Sequence, residues 1–304
     1  RFLLPACSLA NVGITANARV LEHAILNMLS HPLAEVRAIG AEIKTVSQVE
    51  VPTLVKYADH VPHLEKSRSE LTHLSFELGY GNPESDWCRL ISYEKDGEDR
   101  VLAAALYRFG EGSYAACLEH VERLSMEARQ HLAEAMFSGL SRHDVPLREL
   151  EHTWFTFDIT IDQGGYFELK RHRMMTQSPQ ILTTELGYAI PRSIVEAGFE
   201  EQFRAAMEQA KACYLKMSEQ NKDMASYIVP NAFNRRVLLT INLRSAYHLC
   251  ALRTAPNAHF SVRRLAQRMA DQIQNVFPLL SHWLDIPQDE NWEQIEKFYF
   301  AQVS

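Results

Sequence analysis

The chain has 304 residues, 46% of them apolar and 23% charged, and a net charge of −7. That is enough chain for one large domain or two ordinary ones with a buried core, and it excludes a disordered or low-complexity protein. The acidic balance argues against general nucleic-acid binding, which needs a basic footprint, while a local basic pocket for one phosphate stays open.

In chain order, the first predicted element is a helix over 10–30. The stretch 80–98, preceded by Gly79 and containing Gly81, Pro83 and Asp96-Gly97, reads as loop. Residues 121–140 place Leu124, Ala128, Leu132 and Met136 at helical spacing. Residues 153–162 read TWFTFDITID: Phe155, Phe157, Ile159 and Ile161 point one way, and Thr156, Asp158, Thr160 and Asp162 the other. That alternation predicts a strand with one buried face. Asp162-Gln163-Gly164-Gly165 reads as a turn and 166–175 as a short helix. Longer helices follow over 193–219, 231–253 and 261–280, the last with Val262, Leu265, Met269, Ile273, Val276 and Leu280 on one face. The class is α+β, with helices around a modest antiparallel or mixed sheet.

No apolar run approaches the ~20 residues that cross a bilayer, and no signal peptide is read. Cys7, Cys88, Cys117, Cys213 and Cys250 are odd in number and form no CxxC. They fit reduced thiols in a cytoplasmic protein better than a disulfide framework or a zinc site. His60 and His63 are the closest histidine pair and lack a thiol partner, so they read as surface residues and no metal is expected.

The start, RFLLPACSLANVGITANARVLEHAILNML, parallels SYIVPNAFNRRVLLTINLRSAYHLCALRT. Pro5/Pro230, Asn17/Asn242, Arg19/Arg244 and His23/His248 all keep one offset of 225 residues. A domain-length offset is no solenoid. Residues 1–64 read as the C-terminal half of a first copy, 65–304 as a complete second copy, and the chain as a piece of something longer. The copies are expected to pack as a pseudo-two-fold pair, and two such chains as a homodimer equivalent to a tetramer.

The densest polar cluster is Arg171-His172-Arg173, two fixed charges flanking an imidazole. Guanidinium groups bind phosphate bidentately, and the imidazole can share a proton. Taken alone, the tripeptide reads as a solvated basic face on a helix. Around it stand His143-Asp144-Val145-Pro146, Glu151-His152, the Phe155-Thr156-Phe157 strand, Val229-Pro230, Asn242-Leu243-Arg244, Leu252-Arg253 and Asn257-Ala258-His259-Phe260-Ser261-Val262-Arg263. This ordered set resembles the flavin-dependent thymidylate synthases over about 143–280. In the first copy the resemblance covers 1 to about 45, through Asn17-Ala18-Arg19 and Glu35-Val36-Arg37.

The resemblance implies an FAD enzyme that methylates a pyrimidine nucleotide at C5, dUMP to dTMP, with methylenetetrahydrofolate and NADPH as co-substrates. It gives catalytic roles to Arg171, His172 and Arg173. FAD contacts fall to the same three residues and to His143, Glu151, Asn242, Arg244 and His248, with Asn17 and Arg19 their first-copy counterparts. Substrate contacts fall to Arg253, Arg1 and Glu168.

The chain departs from the family after RHR. Ile181 falls where the family has a serine near the base, Thr183-Thr184 where it has an arginine before tyrosine, and Ser226 where it has an arginine four residues before the proline. The first copy keeps Arg1 at that last position and lacks an arginine at the Arg253 position, so the losses are complementary. Two further readings therefore stand beside the first: methylation of another pyrimidine nucleotide such as UMP, and a non-catalytic flavin- or nucleotide-binding homologue.

Overall fold

A computed structural model of the chain describes residues 1–79, 86–141 and 144–303. In order, it contains helices α1 (Ala18–Leu29), α2 (Ala34–Glu50), α3 (Pro52–Val55) and α4 (Pro62–Glu77), strand β1 (Cys88–Tyr93), and helices α5 (Gly97–Phe109), α6 (Tyr114–Glu122) and α7 (Met126–Phe137). Then come β2 (Trp154–Asp162), α8 (Gln163–Leu169), β3 (Met175–Pro179), β4 (Ile190–Pro191), α9 (Arg192–Glu196), α10 (Glu200–Ser218) and α11 (Lys222–Ala225). The chain closes with β5 (Asn234–Asn242), α12 (Leu243–Arg253), α13 (Phe260–Val276), α14 (Trp292–Tyr299) and β6 (Phe300–Gln302). The fold is α+β. Among the described residues no helix is long and apolar enough to cross a membrane.

Two compact units are formed, one from Arg1–Ala6, Ser85–Tyr214 and Ile228–Ser304, the other from Cys7–Glu84 and Leu215–Tyr227. The first unit is built on an antiparallel sheet of order β1-β2-β5-β3. β2 and β5 run in register from Trp154 opposite Asn242 to Asp162 opposite Asn234. Alternation puts Phe155, Phe157 and Ile159 of β2 and Val237, Leu239 and Ile241 of β5 on one face, where all are buried against α5, α12 and α13. Each such side chain contributes roughly 1.5–3 kcal/mol. On the other face the Thr156 and Thr240 hydroxyls meet at 2.8 Å.

The first residues of the chain belong to this unit. Pro5 bridges Pro230 in antiparallel fashion, the Ala232 N–H donates to the Phe2 carbonyl (2.8 Å) and the Asn231 N–H to that of Leu4 (3.0 Å). In the second unit Ile25, Val55 and Ala58 make a small core, with Leu29, Ile43 and Val51 packed on it. Asn17 caps α1 by accepting from the Val20 N–H, and Asn242 caps α12 in the same way by accepting from Ser245.

Several predicted elements shift. The helix expected over 10–30 begins at Ala18, because the Asn17 cap starts it there. The one expected over 231–253 is a strand, β5, before it is a helix, since its apolar residues alternate until the Asn242 cap. Ser125 caps a fresh helix inside 121–140, and Gly198, at φ +78°, separates α9 from α10 inside 193–219. The helix expected over 166–175 is α8, which begins at Gln163 because Asp162 accepts from the Gly165 N–H (2.8 Å) and caps it; β3 has begun by Met175. β1 lies within the stretch expected to be loop, whose residues 80–85 fall outside the described residues.

Gly165 is where α8 meets α13. A Cβ there would lie 2.8 Å from the Ser261 Cβ and 2.9 Å from the Ile161 Cδ1. Gly165→Ala is expected to cost about 1–3 kcal/mol through overpacking, read as a lower denaturant midpoint. Gly13→Ala, which meets nothing within 4 Å, should cause no loss. Equal midpoints for the two variants would refute the close approach.

Candidate active site

β2 delivers the chain into α8, and the last turn of α8 carries Glu168. The backbone then turns back, with the His172 N–H donating to the Leu169 carbonyl (3.0 Å). Gln177 of β3 locks the turn by donating to the carbonyls of Leu169 (3.2 Å) and His172 (3.1 Å). The result separates the RHR cluster: Arg171 and Arg173 are exposed, while His172 is buried. Among the described residues neither Arg171 nor Arg173 makes an ion pair.

Arg253, at the end of α12, donates from Nε to His172 Nε2 (2.7 Å) and from Nη1 to the Glu168 carboxylate (3.1 Å). Arg1 reaches the other oxygen of Glu168 (3.4 Å) and the Gly164 carbonyl (3.1 Å). Arg1 and Arg253, 252 positions apart in the chain, thus flank one carboxylate. The His172 Nε2 accepts, so the ring is neutral with its proton on Nδ1. Burial, reinforced by Arg253 and His248, pushes its pKa down to about 4. The His248 ring lies 5.7 Å from that of His172. His259 joins from the start of α13, and burial followed by Arg1 pushes it to about 4 against the opposing pull of Glu168.

Arg244 lies at the other end of α12. It pairs with Glu151 (2.6 Å) and donates to the Pro146 carbonyl (2.9 Å). Arg148 holds the second oxygen of Glu151 (3.2 Å), and its hydrogen bond leads the causes, ahead of Arg244, that keep this carboxyl below the usual range. Glu151 lies in the 3-10 turn Arg148–His152. That turn also borders an open cleft of 770 Å³, lined by Arg100, Tyr107, Arg108, Tyr114, Glu149 and His152. Arg108 donates to both oxygens of Glu149 (2.8 and 3.0 Å), and Tyr107 meets Tyr114 edge to face. A cleft of this volume is within the range of small-molecule sites.

Arg1, Glu168, His172, His248 and Arg253 therefore come together, and Glu151 and Arg244 form a second group, while the Asn242 side chain caps α12 by accepting from the Ser245 N–H. Asn17 and Arg19 belong to the second unit, where Arg19 is exposed and pairs with Glu22 (2.8 Å). His143 lies outside the described residues. Sequence reasoning missed His259 as a member of the first group. It also missed the cleft residues, whose one signal was the pair of tyrosines around the Gly110–Gly112 turn. Arg263, part of the family-like segment, is buried against Glu290 (3.0 Å) and the Tyr299 ring, as a structural ion pair.

Residues 89–279 match the family described as thymidylate synthase complementing protein. A UPF0159 protein of Chlamydia muridarum is 34% identical over 93% of this chain and 56% of its own length. Flavin-dependent thymidylate synthases of Sulfurisphaera tokodaii and Sulfolobus acidocaldarius are 24% and 27% identical over 64% and 63% of this chain, and 76% and 74% of their own. The chain spans about half the length of the UPF0159 relatives it matches.

His172 and His259 have folded pKa values near 4 against an ordinary 6.5, so between those values the unfolded chain binds more protons than the folded one. Their contribution is expected to be intact above pH 6.5 and to be lost as pH falls toward 4, with a slope approaching one proton per histidine. Denaturation midpoints measured from pH 7.5 to 4.5 check this, and His172→Gln should flatten the slope. An unchanged slope in that variant would contradict the buried, neutral assignment.

Proposed function

Because this chain belongs to the thymidylate synthase complementing protein family, we propose that it is a flavin-dependent methyltransferase acting at C5 of a pyrimidine nucleotide. The substrate in this reading is dUMP, the one-carbon donor methylenetetrahydrofolate and the reductant NADPH. One observation carries it: Arg1 and Arg253 converge on Glu168 beside a buried neutral imidazole, a cluster with two guanidiniums to one carboxylate.

The residues fit FAD in their chemistry. Arg171 and Arg173 are exposed cations free to take phosphate oxygens. Asn242, Arg244 and His248 lie along α12, with Glu151 and the cleft beside Arg244. Those residues, with His143, would hold the cofactor, and Asn17 and Arg19 would be their first-copy counterparts. When bound, FAD supplies the hydride transfer. Arg253 and Arg1 hold the substrate phosphate, whose oxygens compete with the Glu168 carboxylate for the same N–H donors. His172 keeps Arg253 aimed by accepting from its Nε, and at neutral pH it adds no charge of its own. The reading extends to a cytoplasmic homodimer of two-copy chains, as closed symmetry favours.

A second reading keeps the chemistry and changes the nucleotide, for example to UMP. It is favoured by Ile181, 41% exposed where the family has a serine, and by Ser226 in place of an arginine.

Protein incubated with FAD and desalted is expected to keep flavin absorbance bands, and Arg171→Ala to weaken retention by roughly 1.5–3 kcal/mol. Supplied with methylenetetrahydrofolate and NADPH, it should methylate dUMP, and a UMP competition assay separates the two nucleotides. Colourless protein, or flavin retention without methylation of either nucleotide, would overturn the enzymatic reading.

A further inference from the structure

Residues 8–16 have no secondary structure, and among the described residues nothing pairs with their backbone. Their side chains are not those of a solvated loop. Leu9, Val12 and Ile14 are 102%, 74% and 79% exposed. At the 225-residue offset, Val12, Ile14 and Ala16 fall on Val237, Leu239 and Ile241. Those are the core-facing residues of β5, each at most 1% exposed. Both segments run into an asparagine-capped helix, α1 or α12.

The helices that follow tell the same story. α12 buries Leu243, Ala246, Tyr247, Leu249 and Cys250, whereas α1 buries only Ile25. One residue further along in the offset, the Glu35-Val36-Arg37 segment of α2 falls on Ser261-Val262-Arg263 of α13, which places Ile39 on Leu265. Leu265 is fully buried against the sheet, while Ile39 is 43% exposed. A segment with a strand's alternation and a helix therefore both leave exposed the apolar side chains whose counterparts in β5 and α13 are buried.

We infer that residues 8–16 are a docking strand for an antiparallel sheet of the same kind as the one in the first unit, with an open slot between two strands. β5 is a central strand, hydrogen-bonded to β2 on one side and β3 on the other. The occupant must therefore offer two strands with a vacancy between them and an apolar face alternating with period two. A second copy of this chain does not offer that, because its own β5 fills the position between β2 and β3. The occupant is instead the front half of another domain of this family. Relatives of nearly double length, of which this chain covers 55–57%, have the additional polypeptide to contain one. The mode is strand addition, in which main-chain hydrogen bonds give affinity and alternate side chains give register. The inference stands on packing and is independent of the flavin reading.

Hydrogen–deuterium exchange, measured on this chain at two concentrations and on the double-length Chlamydia muridarum relative, tests it. In this chain, amides 8–16 are expected to exchange rapidly at both concentrations. In the relative, the aligned segment is expected to exchange at least about 100-fold more slowly, in the manner of β5 in this chain. Equal rates in the two proteins would overturn the inference. So would protection in this chain that grows with its concentration, which would make a second copy the occupant, or protection in this chain at both concentrations.

Discussion

One carboxylate between two guanidiniums is the constraint on which the candidate site depends. Glu168 answers Arg1 with one oxygen and Arg253 with the other. A further cation buried beside them would be costly, since charge in a poorly solvated place must be matched. His172 meets this by staying neutral and accepting from Arg253. The cluster therefore sets two guanidiniums against the one Glu168 carboxylate, with His172 adding no charge. The arrangement is held from below. Asp162 caps α8, Gly165 lets α8 lie against Ser261, and Gln177 ties the RHR turn to β3. Each of these contacts is packing or backbone geometry, and each fixes where Glu168 and His172 point.

The start of the chain matters to this cluster because of where Arg1 goes. Ser226 stands at the position where the resemblance calls for an arginine, four residues before Pro230, and Arg1 stands four residues before Pro5. Pairing of residues 1–6 with 230–232 carries Arg1 to Gly164 and Glu168. Val229 and Ala232 are fully buried under this pairing, so the ribbon that brings Arg1 is part of the first unit's core.

What the sequence made legible followed from short-range pattern. β2 was readable because its alternation is unbroken from Phe155 to Ile161. β5 was misread as helix because Leu238, 44% exposed, stands between Val237 and Leu239 and turns an alternating strand into an apolar run, which periodicity alone cannot assign. The start of α1 was placed too early because Val12 and Ile14 are apolar without being buried. Family order gathered Arg253, His172, Glu168 and Arg1 as candidates, but it did not contain their contacts. Glu168 meets Arg1 across 167 positions and Arg253 across 85, and no window-based reading sees that distance. The burial of His172 between exposed Arg171 and Arg173 was likewise invisible, since it follows from the turn after α8. His259 entered the group through α13 packing on α8, a tertiary contact with no local signature.

The central claim is that Arg1 and Arg253 act together on one phosphate. The most direct measurement is a calorimetric double-mutant cycle: dUMP titrated into the protein, into Arg1→Ala, into Arg253→Ala and into the double variant, with deoxyuridine as the control that lacks the phosphate. The account expects dUMP to bind far better than deoxyuridine. It also expects the two single losses to be non-additive, because the residues share one ligand group. Additive losses, or equal binding of dUMP and deoxyuridine, would contradict it.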